Sequence, residues 1–209
     1  MNGWETFESL TDGIVIIDVL TVLGVIYASW LATYPTSKAA PVGSSLWFRL
    51  PTWAQIAIGV VVTVLGAYLG YLLWVPFLYI ASSGVSLILR VAGLALLSGG
   101  TFFVLWGRWS LGAMMGVSTS TAVQLQARHQ LIRRGAYAFV RHPMYLGYWL
   151  LLAGMVAIYR TWSPLIFLVM LIASLYRRAR REEQALEAAF GDEWRQYAAR
   201  APMFIPRWK

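Results

Sequence analysis

Five apolar runs, set apart by short polar or proline-marked intervals, constrain this 209-residue chain more than anything else in it. They fall at residues 14–32, 53–75, 84–106, 145–159 and 165–176. A run of about twenty apolar residues is long enough as a helix to cross a hydrocarbon core about 30 Å thick. Only 12% of the residues are charged and 59% are hydrophobic, whereas soluble domains carry roughly 25% charged residues. A surface this apolar aggregates in water but suits a bilayer. The sequence therefore predicts an all-α fold, a polytopic membrane helical bundle of about five transmembrane helices.

The boundaries follow from local chemistry. Residues 1–13 carry Glu5, Glu8 and Asp12 where a cleavable signal would carry Lys or Arg, so no signal peptide is expected, and this stretch is expected to lie outside the bilayer. Asp18 then sits near the start of the first span, at an interface where an acid costs little. Tyr34-Pro35 is expected to end that helix, because proline disfavours the helical conformation in the residue before it. Gly59, Gly66 and Gly70 lie at helical spacing in the second span and are expected to permit close helix approach. A long polar interval occupies residues 107–142, and an interval of that length is often functional. The fourth and fifth runs are joined by a tight turn at residues 160–164, which predicts an antiparallel hairpin. The fifth is expected to continue beyond the membrane as a helix over 177–189, with Gly191 breaking it.

Charge gives the chain a direction. The interval after the first run, the interval 107–142 and the tail from Arg177 hold fifteen of the 17 basic residues, leaving only Arg90 and Arg160 for the other side. Lys and Arg accumulate in cytoplasmic segments. The loop 107–142 and the C-terminal tail are thus expected in the cytoplasm, with the N-terminus outside. The net charge of +8 is explained by anionic lipid and orientation, so no nucleic-acid partner is inferred. The absence of cysteine excludes disulfides and thiolate catalysis, and two histidines make a poor metal site.

Two polar clusters bear on chemistry. Arg141-His142-Pro143-x-Tyr145 joins a fixed cation, an imidazole, a rigid backbone and a phenol just before the fourth run. Proline suits the first helical position, so the N–H groups of residues 144–146 are expected to face the aqueous mouth, where an anion can bind. The alternative is an interfacial anchor, with arginine on lipid phosphate and tyrosine among headgroups. In the tail, Arg178 and Glu182 are four residues apart and share a helix face, while Glu183 is expected to face elsewhere. Such a pair can hold ligands or simply stabilise a helix. Leu186, Phe190, Trp194 and Tyr197 form an amphipathic face suited to packing or to the interface. Gln124 and Gln126 are further polar candidates. No phosphate-binding glycine loop and no zinc-binding His-Glu-x-x-His is present.

These pieces together resemble the C-terminal half of the isoprenylcysteine carboxyl methyltransferase and phospholipid methyltransferase superfamily. The likeness rests on His129-x-Leu131-Ile132, Gly135-x-Tyr137, Arg141-His142-Pro143-x-Tyr145-x-Gly147, Arg178, Glu182-Glu183-x-x-Leu186, Phe190-Gly191, Tyr197 and Pro202-x-Phe204-Ile205-Pro206. It covers about half the chain, from Trp106 to Trp208. The resemblance implies two parts: N-terminal transmembrane spans over 1–106, and a catalytic half over 107–209 comprising loop, hairpin and amphipathic tail. It implies an integral membrane methyltransferase using S-adenosylmethionine, with a lipid-like or prenylated acceptor arriving from the bilayer. Carried over, His129, Leu131, Ile132, Tyr137, His142, Pro143, Met144, Tyr145 and Glu182 would line the cofactor site, several through backbone atoms. Arg178 would face the acceptor, and Arg178 and Glu182 would be the catalytic pair. Ala136 replaces the family's usual proline, and Trp194 stands where tyrosine is usual. The family's eukaryotic branch also has more spans than five.

A carboxylate acceptor needs no general base. An amine or thiol acceptor would call on His142 or Glu182. An NADPH-dependent membrane reductase and a non-catalytic membrane protein with a basic lipid-binding tail are the competing classes.

Overall fold

A computed structural model describes residues 3–38, 50–80, 83–112 and 131–205. Seven helices occur in them: α1 (Gly3–Lys38), α2 (Thr52–Leu72), α3 (Ser83–Leu111), α4 (Ala136–Phe139), α5 (Pro143–Tyr159), α6 (Trp162–Phe190) and α7 (Asp192–Arg200). No strand is present among the described residues. Three helical segments are long and apolar enough to cross a membrane: Trp4–Ala28, Ser83–Leu111 and Trp162–Phe190. Val60–Leu72 and Pro143–Tyr159 are shorter apolar helices. The five apolar runs thus fall on helices; α2, with 21 residues, is about 32 Å long, and α5, with 17, is the shorter one.

The bundle is built around a seam between α3 and α5. These helices run antiparallel, and glycines seven residues apart face each other across them. A Cβ added to Gly100 would lie 2.6 Å from the Gly147 carbonyl, and one on Gly154 would lie 2.6 Å from the Gly93 carbonyl. At the far end, Gly107 receives Pro143 and Met144. Small residues let two helix backbones approach this closely, which replaces the hydrophobic drive that lipid removes. Leu97, Val104, Leu151 and Ile158 fill the seam, and Val15 and Val22 of α1 close its flank.

Several local expectations are corrected. The first helix begins at Gly3, so residues 3–13 are helical rather than a separate outer segment. It continues through Pro35 to Lys38, because proline removes one ladder bond without obliging a long helix to stop. Asp18 therefore lies well inside α1 rather than at a span's start, and the Ser98 hydroxyl of α3 donates to it at 3.1 Å. α3 runs to Leu111, which places residues 107–111 in helix rather than loop. In α2, Gly66 meets nothing within 4 Å, whereas Gly70 lies against Ser163 and Phe167 of α6. The close approach expected of α2 is made mainly by α3 and α5.

Both ends of the bundle are defined. At one end the segment after α2 lies on the α5–α6 turn: Phe77 N–H donates to the Arg160 carbonyl (2.9 Å), and Trp162 N–H to the Val75 carbonyl (3.0 Å). Arg90 pairs with Glu8 there at 2.7 Å. At the other end α6 continues past the apolar run, since residues 165–190 contain no glycine or proline. Its 29 residues span about 43 Å at 1.5 Å each, so its charged third projects beyond a hydrocarbon core. Gly191, with φ of 51°, ends α6 and turns the chain back into α7. A side chain is strained in that conformation and glycine is not.

Candidate active site

The projecting part of α6, the start of α5 and the tail meet over the Gly107 end of the seam. Gly135 begins the approach. Its φ of 62° would strain any side chain, and a Cβ there would collide with Ser110 of α3. The Ser110 hydroxyl instead accepts from the Ala136 amide at 3.2 Å and docks the single turn α4 onto α3. Alanine serves at position 136 because this contact, not a proline ring, fixes the turn. Residues 140–142 then run extended beside the C-terminal segment. Arg141 N–H donates to the Pro202 carbonyl (2.9 Å) and His142 N–H to the Met203 carbonyl (3.2 Å).

Three of the predicted side chains converge. The Tyr145 hydroxyl donates to Glu182 Oε1 at 2.7 Å, and Arg178 Nε donates to the same oxygen at 3.0 Å. The Arg178 guanidinium also stands over the Tyr145 ring at 6.0 Å. The pair read from spacing as either a binding couple or a helix brace is therefore joined by a tyrosine from another helix. His142 stacks on Tyr145 with centroids 5.3 Å apart and planes 8° from parallel, and its Nδ1 lies 3.7 Å from Glu182 Oε2.

Glu183 turns away from Arg178, as expected, and toward residues 141–142. Its Oε1 accepts from Arg141 Nε at 2.8 Å and lies 3.2 Å from His142 Nε2. Arg141 Nη2 reaches its other oxygen at 3.3 Å, and Arg141 Nη1 donates to the Ala198 carbonyl of α7 at 2.8 Å. Both charged side chains are nearly buried, at 14% and 13% exposure. Removing one partner of such a pair typically costs about 3–5 kcal/mol, because it strands a charge. The interfacial-anchor reading of Arg141 is thereby overturned: its guanidinium turns inward to protein groups.

The remaining predicted residues separate by role. His129, Gln124 and Gln126 lie outside the described residues. Tyr137 is close enough to Glu182 for that charge, after burial, to push its phenol up. Its carbonyl accepts from Tyr197 at 2.7 Å. Burial also pushes the Tyr197 phenol up, so both stay neutral donors at ordinary pH. Leu131 packs against the cluster of Trp194, Tyr197 and Ala201; Ile132 is half-buried. Pro143 and Met144 are buried against Gly107, so any ligand contact there is through backbone. The α5 ladder already uses the Leu146 amide, which donates to the His142 carbonyl at 3.1 Å. The expected trio of open amides at 144–146 is thus at most the first two. Phe204, to which the sequence assigned no role, lies 4.4 Å from Trp149 and 5.5 Å from His142 between ring centroids, and 6.3 Å from Tyr176. It bridges the hairpin and the tail at the apolar boundary.

Residues 88–193 match the phospholipid methyltransferase family, and the chain belongs to that family of integral membrane methyltransferases. Its relatives differ in what they are named for. It is 35% identical over 79 residues to the protein-S-isoprenylcysteine O-methyltransferase of Schizosaccharomyces pombe, covering 37% of this chain and 34% of that protein. It is 40% identical over 70 residues to methanethiol S-methyltransferase 1 of Bradyrhizobium diazoefficiens, covering 34% of this chain and 24% of that protein. The cobalt-zinc-cadmium resistance protein CzcN of Cupriavidus metallidurans is 29% identical over 102 residues, 45% of this chain and 47% of that protein. The chain thus spans less than half the length of each.

Proposed function

We propose that the protein is an S-adenosylmethionine-dependent methyltransferase acting on a membrane-embedded, lipid-like acceptor, with a carboxylate of the isoprenylcysteine type favoured. The observation that carries this reading is the convergence of Tyr145, Arg178 and Glu182 on one carboxylate oxygen. The residues fit such a cofactor. Glu182, at 20% exposure, keeps a carboxylate beside the Tyr145 and His142 rings, and a carboxylate beside aromatic rings suits a cationic ligand. S-adenosylmethionine supplies a methyl group activated on a sulfonium.

The chain's own residues hold and orient. Glu182 receives the cationic or hydroxylated part of the cofactor, and Tyr145 fixes that carboxylate in place. Tyr137 and Tyr145 offer ring faces. Arg178 directs an acceptor carboxylate by a charge-assisted hydrogen bond. Phe204, Trp149 and Tyr176 shield the site on its apolar side. Methyl transfer to an anion neutralises charge, so positioning and exclusion of water can supply most of the acceleration. The loop 107–142 and the tail lie on the cytoplasmic face with the N-terminus outside, across five spans. Support comes from the arginine distribution together with the shared end of the bundle that residues 131–142 and 192–205 occupy.

Thiol S-methylation is a second reading, supported by the similarity to the methanethiol enzyme. Phospholipid N-methylation is a third, supported by the family match alone. Membranes incubated with methyl-labelled S-adenosylmethionine and separated into protein, lipid and volatile pools distinguish them. Base-labile label in prenylated peptide or lipid acid supports the carboxylate reading. Label in volatile sulfide, or none above background, contradicts it.

A further inference from the structure

We propose that Glu183 is a positioning residue of the methyl-transfer site, and that His142, held by it, is a spacer under Tyr145 and not a general base. The inference rests on the functional reading above and deepens it. Glu183, on α6, holds Arg141 and His142, and through these residues it is tied to the Ala198 carbonyl of α7 and to the Pro202 and Met203 carbonyls that follow α7. One of its oxygens takes both Arg141 Nε and His142 Nε2. An ionised carboxylate only accepts hydrogen bonds, so this contact requires the ring proton on Nε2. The other ring nitrogen faces Glu182. One ring face stacks on Tyr145, and Phe204 packs against the ring. His142 is only 8% exposed. Both nitrogens are directed at carboxylates, so neither points toward an arriving acceptor.

The consequence runs through Tyr145. With Glu183 fixing the imidazole edge and the 8° stack fixing the phenol plane, the Tyr145 hydroxyl is aimed at Glu182. Glu183 therefore acts on the cofactor site at second hand, without touching a ligand. Arg141 ties the same carboxylate to the Ala198 and Pro202 carbonyls, so the clamp also sets the tail over the site. His142 takes no proton from the acceptor, so a carboxylate needs no base here and an acceptor that must lose a proton has only Glu182 to receive it.

The test compares wild type, Glu183→Gln, His142→Gln and His142→Phe in S-adenosylhomocysteine binding, methyl-transfer kinetics and unfolding temperature. Glutamine at 183 keeps the shape but not the charge, and the expected result is KM for S-adenosylmethionine up about tenfold with kcat down less than about threefold. Glutamine at 142 can still donate to Glu183 but cannot act as a base; kcat is expected to fall no more than about tenfold, whereas phenylalanine loses more. Equal losses of roughly 10²–10⁴-fold in kcat for both His142 variants would make His142 the base and overturn the proposal. Unchanged kinetic constants in Glu183→Gln, with only a lower unfolding temperature, would reduce Glu183 to a structural pin. Should Glu183→Gln unfold, the His142 pair, which leaves the Arg141–Glu183 bridge intact, decides. No binding by wild type contradicts the functional reading itself, an outcome distinct from both of the others.

Discussion

Among single residues, one carboxylate oxygen of Glu182 is shared by the Tyr145 phenol and the Arg178 guanidinium. Tyr145→Phe removes the hydroxyl donor and keeps the ring. A hydrogen bond to a charged group contributes about 1.5–3 kcal/mol, so cofactor affinity is expected to fall by roughly tenfold to a hundredfold, measured by calorimetric titration with S-adenosylhomocysteine. Arg178→Lys keeps the charge but not the planar fork that matches a carboxylate. It is expected to lower kcat/KM for a carboxylate acceptor by about tenfold or more, and a thiol or amine acceptor would feel the change less. Helical spacing put Arg178 and Glu182 on one face without deciding between a brace and a binding pair, and it was the resemblance to the methyltransferase family that drew these two and Tyr145 into one proposed site. The role of Glu183 was not legible. Its neighbour took the role that spacing could assign, and its own partners come from residues more than 40 positions away. The adjacent pair of acids on a helix leaving the membrane was the only signal, since the second acid had to find a cation or water.

At the scale of elements, the seam between α3 and α5 holds the site's floor. Gly100→Ala would press a methyl against backbone atoms of Gly147 and Leu151. Overpacking of this kind costs about 1–3 kcal/mol, read as a lowered unfolding temperature in detergent. Gly66→Ala meets nothing and should be neutral or stabilising by up to about 1 kcal/mol, since alanine favours a helix. The reverse ranking would contradict the seam. The apolar runs, the hairpin, the break at Gly191 and the helix leaving the membrane could all be read from local pattern. Which glycines pack could not be, because Gly59, Gly66 and Gly70 and the true seam both carry helical spacing. The regular seven-residue interval of Gly93, Gly100 and Gly107, answered by Gly147 and Gly154, was the available clue. Helix ends were also misplaced, at Pro35 and at residue 107, where helix continuation outweighs the single bond or the polar residues that suggested a stop.

In the whole molecule, parallel and antiparallel packing agree with five long helices that alternate in direction, with four reversals. α1 and α3 run the same way, as Glu8 meets Arg90 and Asp18 meets Ser98. The α2–α3 and α5–α6 connections lie together. The natural absence of cysteine permits a direct check of sidedness. Tyr79→Cys and Glu193→Cys, both at exposed positions, are expected to label from opposite sides: Tyr79→Cys in intact cells, and Glu193→Cys only after permeabilisation. Labelling of both from one side would contradict the topology.

The central claim is that Glu182 and Tyr145 build a cofactor site for methyl transfer. Calorimetric titration of the purified protein with S-adenosylhomocysteine, beside Glu182→Ala and Tyr145→Ala, tests it most directly. Binding on the order of micromolar, about −8 kcal/mol, is expected in the wild type, and its loss in both variants, each of which still unfolds cooperatively even if at a lower temperature. Undiminished binding in the two folded variants would contradict the assignment of the site, and no binding in the wild type would contradict the reading as a whole.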